Sequence, residues 1–174
     1  MKGKQCFGLL AAVVLVAGVA FAADKTKVEL SKMHLCCGGC VKGVKKAAGT
    51  VDGVTCSIDK KGGKATLAGD KASLEKALAA IAKAGYHGTS CCDIKMKDDS
   101  GAPDGKVAKL VLDGLHNCCG GCARKAIAAA KSVDGVTGVD LPKKSGTITV
   151  SGDFNAKAVV KALNDAGYHG KVKK

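Results

Sequence analysis

Tryptophan is absent, aromatic residues make up only 3% of the chain, and two prolines are all that interrupt 174 residues. So few aromatic rings remove the stacking platforms on which single-stranded nucleic acid is read. The 28 Lys+Arg against 15 Asp+Glu, a net charge of +13, therefore do not point to a nucleic-acid binder. With 47% hydrophobic residues the chain is no disordered tail. At ~100–200 residues per domain it holds one domain or two small ones, which excludes a (β/α)₈ barrel or a full dinucleotide-binding dehydrogenase. Its carboxylates are scattered and no Ser or Cys has a recognisable base partner, so no hydrolytic constellation is present and no enzyme is expected. What it has in quantity is cysteine, ten in all.

The first segment reads as an export signal. Lys2 and Lys4 precede an apolar run from Phe7 to Ala22, and Ala20-Phe21-Ala22 supplies the small residues before a cut at Ala23. The run falls short of the ~20 residues of a spanning helix, so no membrane span is expected after cleavage. Cys6 precedes the run and leaves with it, so residues 1–22 are read as signal peptide and nine cysteines remain. The expected location is periplasmic or secreted, an oxidising space in which cysteines serve either as disulfide staples or as metal ligands.

Spacing says more than number. Met33-His34-Leu35-Cys36-Cys37-Gly38-Gly39-Cys40 returns 82 positions later as Leu115-His116-Asn117-Cys118-Cys119-Gly120-Gly121-Cys122. Val51-Asp52-Gly53-Val54-Thr55 and Gly85-Tyr86-His87-Gly88 recur at the same offset, whereas Lys60-Lys61-Gly62-Gly63 and Gly69-Asp70 recur at 83. One residue is gained and given back. A polar stretch with Gly and Pro, centred on residues 98–105, separates the copies. This divides the chain into residues 23–92, a linker at 93–105, and residues 106–174.

Within each copy the periodicities run strand, helix, hairpin, helix, strand. Residues 27–31 and 107–112 read as strands. Val41, Val44, Ala47, Ala48 and Val51 share a helical stripe, as do Ala123, Ala126, Ile127, Ala130 and Val133. A Lys-Lys-Gly-Gly turn predicts a hairpin, and a second helix ends at Gly85 or Gly167. The order βαββαβ, twice, predicts an α+β class of two ferredoxin-like sandwiches in tandem. Each Cys-Gly-Gly-Cys then lies at a strand–helix junction with Cys40 and Cys122 at the helix start, where unpaired N–H groups favour thiolates. Soft sulfur donors suit Cu(I), Hg(II) and Zn(II).

On these motifs the sequence resembles the heavy-metal-associated domain family, which includes periplasmic mercury-binding proteins, copper chaperones and the N-terminal domains of metal-pumping ATPases. The family pattern is G-M-T-C-x-x-C followed by an apolar helix and a Gly-Val, and both copies match its C-x-x-C, its helix and its Gly-Val. The resemblance implies that Cys37 with Cys40, and Cys119 with Cys122, bind metal. It also implies that Tyr86-His87 and Tyr168-His169 lie at the metal end of each domain. A metal-transporting membrane protein or an acceptor domain is the expected partner. Two departures bear on the metal. Cys36 and Cys118 replace the threonine of the pattern, and Leu35 and Asn117 the methionine, with His34 and His116 one position earlier. A third thiolate, with His34, His116, His87 or His169 as a fourth donor, would favour tetrahedral Zn(II) or Cd(II) over two-coordinate Cu(I). Vicinal cysteines also admit disulfides, so a thiol–disulfide redox protein and a disulfide-stapled interaction module stand as alternatives. Cys56, aligned with Val139, reads as a small core residue, and Cys91-Cys92 as a disulfide or an accessory site. The lysines of the first helix read as a solvated face, or as a surface that steers an acidic partner.

Overall fold

The structure is a computed structural model and describes residues 25–173. The export segment with Cys6 lies outside the described residues. Each copy folds as expected. In the first, β1 (Thr26–Ser31), α1 (Gly38–Ala48), β2 (Thr55–Asp59), β3 (Lys64–Gly69), α2 (Lys71–Lys83) and β4 (Thr89–Ser90) form an antiparallel sheet of order β2-β3-β1-β4. The second repeats this with β5 (Lys106–Asp113), α3 (Gly120–Lys131), β6 (Val136–Asp140), β7 (Ile148–Asn155), α4 (Ala156–Asp165) and β8 (Lys171–Val172), in the order β6-β7-β5-β8. Both are ferredoxin-like α+β sandwiches.

Period-2 burial closes the sheets and period-3.6 burial closes the helices. Val28 and Leu30 of β1 and Ala65 and Leu67 of β3 meet Val44 of α1 and Leu74, Leu78 and Ile81 of α2, all sealed from water. Leu112, Ile148, Val150, Ala126, Val159 and Leu163 do the same in the second domain. At about 1.5–3 kcal/mol for each large side chain buried, these small cores are what hold each sheet to its helices. The extra residue of the second copy is absorbed as a β-bulge, where Val136 and Gly138 face the successive residues Gly152 and Ser151.

The helix starts differ in a way that matters for the site. Asp70 accepts from the Ser73 N–H at 2.9 Å and Asn155 from the Ala158 N–H at 3.0 Å, ordinary side-chain caps for α2 and α4. Cys37 and Cys119 cap α1 and α3 without a side-chain hydrogen bond of this kind, and their first turns carry no acidic residue. The unpaired N–H groups there are left facing sulfur.

The two domains dock head to head about a pseudo-twofold axis. Tyr86 and Tyr168 form an antiparallel bridge. The His87 N–H donates to the Gly167 carbonyl at 3.1 Å and the His169 N–H to the Gly85 carbonyl at 3.0 Å. His34 stacks on Tyr168, Tyr86 on His116, and His87 on His169. Gly85 and Gly167 adopt φ of +87° and +92°, and a Cβ on either would collide with the other domain's backbone at the His116 and His34 nitrogens. The linker is itself packed. Ile94 and Ser100 are buried, the Val172 N–H donates to the Ser100 carbonyl at 2.8 Å, and Asp99 accepts from His169 Nε2 at 2.8 Å and from the Lys171 ammonium.

Candidate metal-binding site

Docking brings the two Cys-Cys-Gly-Gly-Cys loops face to face and gathers six sulfurs at the seam. Within each C-x-x-C pair the separation is 3.6 Å, both for Cys37–Cys40 and for Cys119–Cys122. The first cysteine of each loop reaches into the other domain. Cys36 Sγ lies 3.5 Å from Cys119 Sγ and 3.5 Å from Cys122 Sγ, while Cys118 Sγ lies 3.4 Å from Cys37 Sγ and 3.8 Å from Cys40 Sγ. His116 Nε2 stands 3.1 Å from Cys40 Sγ and 3.6 Å from Cys122 Sγ. A ring nitrogen of His34 lies within 4.8 Å of Cys36 and Cys122. Thus the six cysteines of the two loops, with His34 and His116, meet at one place.

Access is graded across the cluster. Cys40 and Cys122 are sealed, Cys37 and Cys119 half-buried, Cys36 and Cys118 exposed. Below, the Tyr168 hydroxyl donates to the Cys122 carbonyl at 2.9 Å, and Tyr86 lies so close to Gly43 that a Cβ there would strike its hydroxyl. The tyrosines are floor and spacer to the helix starts.

The electrostatics separate the sulfurs. The Cys40 N–H holds the Cys37 thiol down to about 7, and the Cys122 N–H holds the Cys119 thiol down to about 6; contact with Cys118 and Cys36 adds to each. The residues tuned by the helix starts are therefore these N-caps. Cys40, placed by the sequence reading where thiolate is favoured, is instead pushed up by burial. Cys36 and Cys118 are raised well above the thiol range, first by loss of water around the sulfur and then because each S–H donates to neighbouring sulfurs. Burial lowers His116 to about 4 and lowers His34 as well, so both imidazoles are neutral at pH 7, the form that binds metal. Six sulfurs this close cannot all lose their protons without a cation among them, whereas a soft cation would replace those protons.

The heavy-metal-associated domain matches residues 27–87 and 113–169, more than half of the chain. The chain belongs to the heavy-metal-associated domain family. No curated protein matches it. Among solved structures it is similar to the N-terminal soluble domains of Bacillus subtilis CopA, at 19% identity over 86% of this chain and 95% of that one, with a TM-score of 0.33. It is also similar to the water-soluble region of the P-type ATPase CopA from Bacillus subtilis, at 20% identity over 86% and 92%, with a TM-score of 0.35. Scores this low carry nothing further.

Other residues singled out in this heavy-metal-associated chain lie elsewhere. His87 and His169 stack on each other across the seam rather than joining the sulfurs, and His169 is tied to Asp99. Cys56 is half-buried on the edge strand β2, packed against the core rather than sealed inside it, because the edge strand lies at the margin of the helix layer. Cys91 lies alongside β1, its N–H on the Glu29 carbonyl at 3.0 Å, and Cys92 packs near Ser90; neither approaches the cluster. The reach of Cys36 and Cys118 across the seam was not readable in the sequence. The only available hint was the repeated vicinal pair.

Proposed function

We propose that this protein binds soft metal ions as cargo, of the class Cu(I), Hg(II) or Zn(II)/Cd(II), through the thiolates of its two facing loops, and either sequesters them or passes them on. The observation that carries this reading is the knot of six sulfurs at 3.4–3.8 Å with a neutral imidazole against it. Sulfur donors of this number select soft ions over Mg²⁺ or Ca²⁺, which take oxygen. The ligands are Cys37, Cys40, Cys119 and Cys122, with Cys36 and Cys118 as further thiolates and His34 and His116 as imidazole donors.

Transfer would proceed by ligand exchange. An acceptor thiolate bonds to the ion at the exposed Cys36 and Cys118 side, and as that bond forms a bond to one of this chain's sulfurs breaks. The freed thiolate takes up a proton, and no electron moves. The graded burial supports this order, since the outermost sulfurs are the first an acceptor meets. The location is an exported one, periplasmic or secreted, and the partner a metal-transporting membrane protein or an acceptor domain. Among the described residues no helix is long and apolar enough to cross a membrane.

The test is metal content per chain, by elemental analysis, of protein purified anaerobically from its own compartment, beside a variant with Cys37, Cys40, Cys119 and Cys122 changed to Ser. One or more soft ions per chain, lost in the variant, is the expected result. Absence of metal from both, with oxidised cysteines, would give the case to the disulfide readings.

A further inference from the structure

The sulfurs group across the two loops as well as within them. Three contacts close the triangle Cys37–Cys40–Cys118, at 3.6, 3.4 and 3.8 Å, and three close Cys36–Cys119–Cys122, at 3.5, 3.5 and 3.6 Å. Each triangle is a C-x-x-C pair of one domain completed by the first cysteine of the other. The same-loop sets have only two such contacts each, Cys36–Cys40 with Cys37–Cys40, and Cys118–Cys122 with Cys119–Cys122.

The backbone explains why. Cys37 has φ −142° and ψ 173°, Cys119 φ −153° and ψ 168°. In extended chain, successive side chains point to opposite sides, which spreads the vicinal sulfurs, although Cys36, Cys37 and Cys40 still lie within 4.8 Å of one another. Cys37 turns in toward its own helix start, and Cys36 reaches across the seam to two sulfurs of the other domain while staying 3.5 Å from its own Cys40. The pseudo-twofold does the same to Cys119 and Cys118. The histidine two residues earlier travels with the crossing cysteine: His116 stands against Cys40 in a group with Cys118, and His34 lies with Cys36 near Cys122.

We infer that the two domains exchange ligands, so that the vicinal cysteine of each loop serves the other domain's metal: Cys118 completes a trithiolate with Cys37 and Cys40, and Cys36 completes one with Cys119 and Cys122, with His116 and His34 as the adjoining fourth donors. This rests on the metal-binding reading above and gives it a specific form: two three-sulfur sites, each spanning the seam. The size of the triangles agrees. An ion at the centre of either would lie about 2.1 Å from each sulfur against about 2.3 Å for a metal–thiolate bond, so the sulfurs need only spread by a few tenths of an ångström. Exchange also makes docking and loading one event, because neither domain alone holds a complete set. An apo protein with its domains parted would offer two-sulfur sites and a docked one three-sulfur sites.

The test compares intact chains that keep equal numbers of cluster cysteines. Cys37→Ser/Cys40→Ser/Cys118→Ser retains Cys36, Cys119 and Cys122, a complete exchanged set. Cys36→Ser/Cys37→Ser/Cys40→Ser retains Cys118, Cys119 and Cys122, a same-loop set. Each takes one equivalent of Hg(II), and X-ray absorption counts the sulfurs around the metal. Three sulfurs in the first and two in the second, with at least tenfold tighter retention by the first against a competing thiol, is the expected result. The mirror pair, keeping Cys37, Cys40 and Cys118 or Cys36, Cys37 and Cys40, must behave alike, which guards against one variant misfolding. Equal sulfur counts in the two sets, or three sulfurs in the same-loop set, overturn ligand exchange while leaving metal binding intact. Failure of all four variants to bind Hg(II) overturns the metal-binding reading, and ligand exchange with it.

Discussion

The first and second repeats are most alike where they touch and least alike where they do not. At the seam each gives Cys-Cys-Gly-Gly-Cys, a Gly-Tyr-His-Gly turn, and a ring stack onto the partner domain. Away from it the second domain has β-bulges that the first lacks, Val139 stands where the first has Cys56, and Lys173-Lys174 stand where the first has Cys91-Cys92. Even within the seam one difference stands out: His169 is anchored by Asp99 and His87 has no such carboxylate bonded to it. The linker supplies that carboxylate: its first half lies along α2 of the first domain, where the Ser90 hydroxyl donates to the Ile94 carbonyl at 2.7 Å, and Asp99 and Ser100 then tie it to the second. The shared features are those that the facing arrangement requires, and the rest of each sandwich has drifted around them.

Breaking the symmetry at its tightest point should have the largest effect. Ala at both Gly85 and Gly167 forces side chains into the left-handed region, at about 1–3 kcal/mol each, before the Cβ meets the opposing backbone. The domains should part while each stays folded. Small-angle scattering would then show a larger radius of gyration with an unchanged far-UV signal, whereas an unchanged radius would mean that the seam is not held by these turns.

Acid should loosen the same seam less completely. Burial, and for His87 the neighbouring His169, holds both imidazoles below the usual histidine value, with Asp98 and Asp165 opposing this at His87, Asp99 and Asp98 opposing it at His169, and Lys171 reinforcing it there. A lowered folded-state value means that the docked form prefers the neutral rings. Its stability is full above about 6.5 and is lost as the pH falls below that. Scattering between pH 7 and pH 5 should show opening in the native protein and much less in His87→Gln/His169→Gln.

Between the two loops a smaller contrast is expected in the metal-free, reduced protein. Alkylation should rise with pH through about 6 at Cys119 and about 7 at Cys37, because the thiolate is the reactive form. Peptide mapping after short iodoacetamide pulses resolves the two, and coincident profiles would remove the asymmetry. Least of all should follow from making the first edge strand like the second. Cys56→Val keeps a half-buried apolar side chain of similar size and should shift unfolding by under about 1 kcal/mol, as read by urea denaturation.

Much of this was legible in the sequence because it is written in local periodicity. The alternation of Val28 and Leu30, the helical stripe through Val44 and Ala48, and the Asp52-Gly53 break are each set by residues within a few positions of one another, and so they predict the sandwiches directly. The repeat singled out the six loop cysteines with His34 and His116, which the structure brings to one place. The arrangement of those candidates around the seam was not readable. Whether Cys36 serves its own loop or the other depends on a docking of two finished domains, which leaves no period in the chain. The same holds for His87 and His169, grouped with the ligand candidates by repetition alone, and for the linker, whose Gly and Pro suggest a tether although Asp99 and Ser100 bind it down.

The most direct check that the two loops bind metal together is which thiols metal protects. The reduced, intact protein would be loaded with Hg(II) or Cu(I), alkylated, and mapped by mass spectrometry beside the metal-free form. Protection of Cys36, Cys37, Cys40, Cys118, Cys119 and Cys122 together, with Cys56, Cys91 and Cys92 left reactive, is what six sulfurs gathered at one seam predict. Protection confined to Cys37 with Cys40 and Cys119 with Cys122, leaving Cys36 and Cys118 open, would contradict it and return the protein to two independent domains.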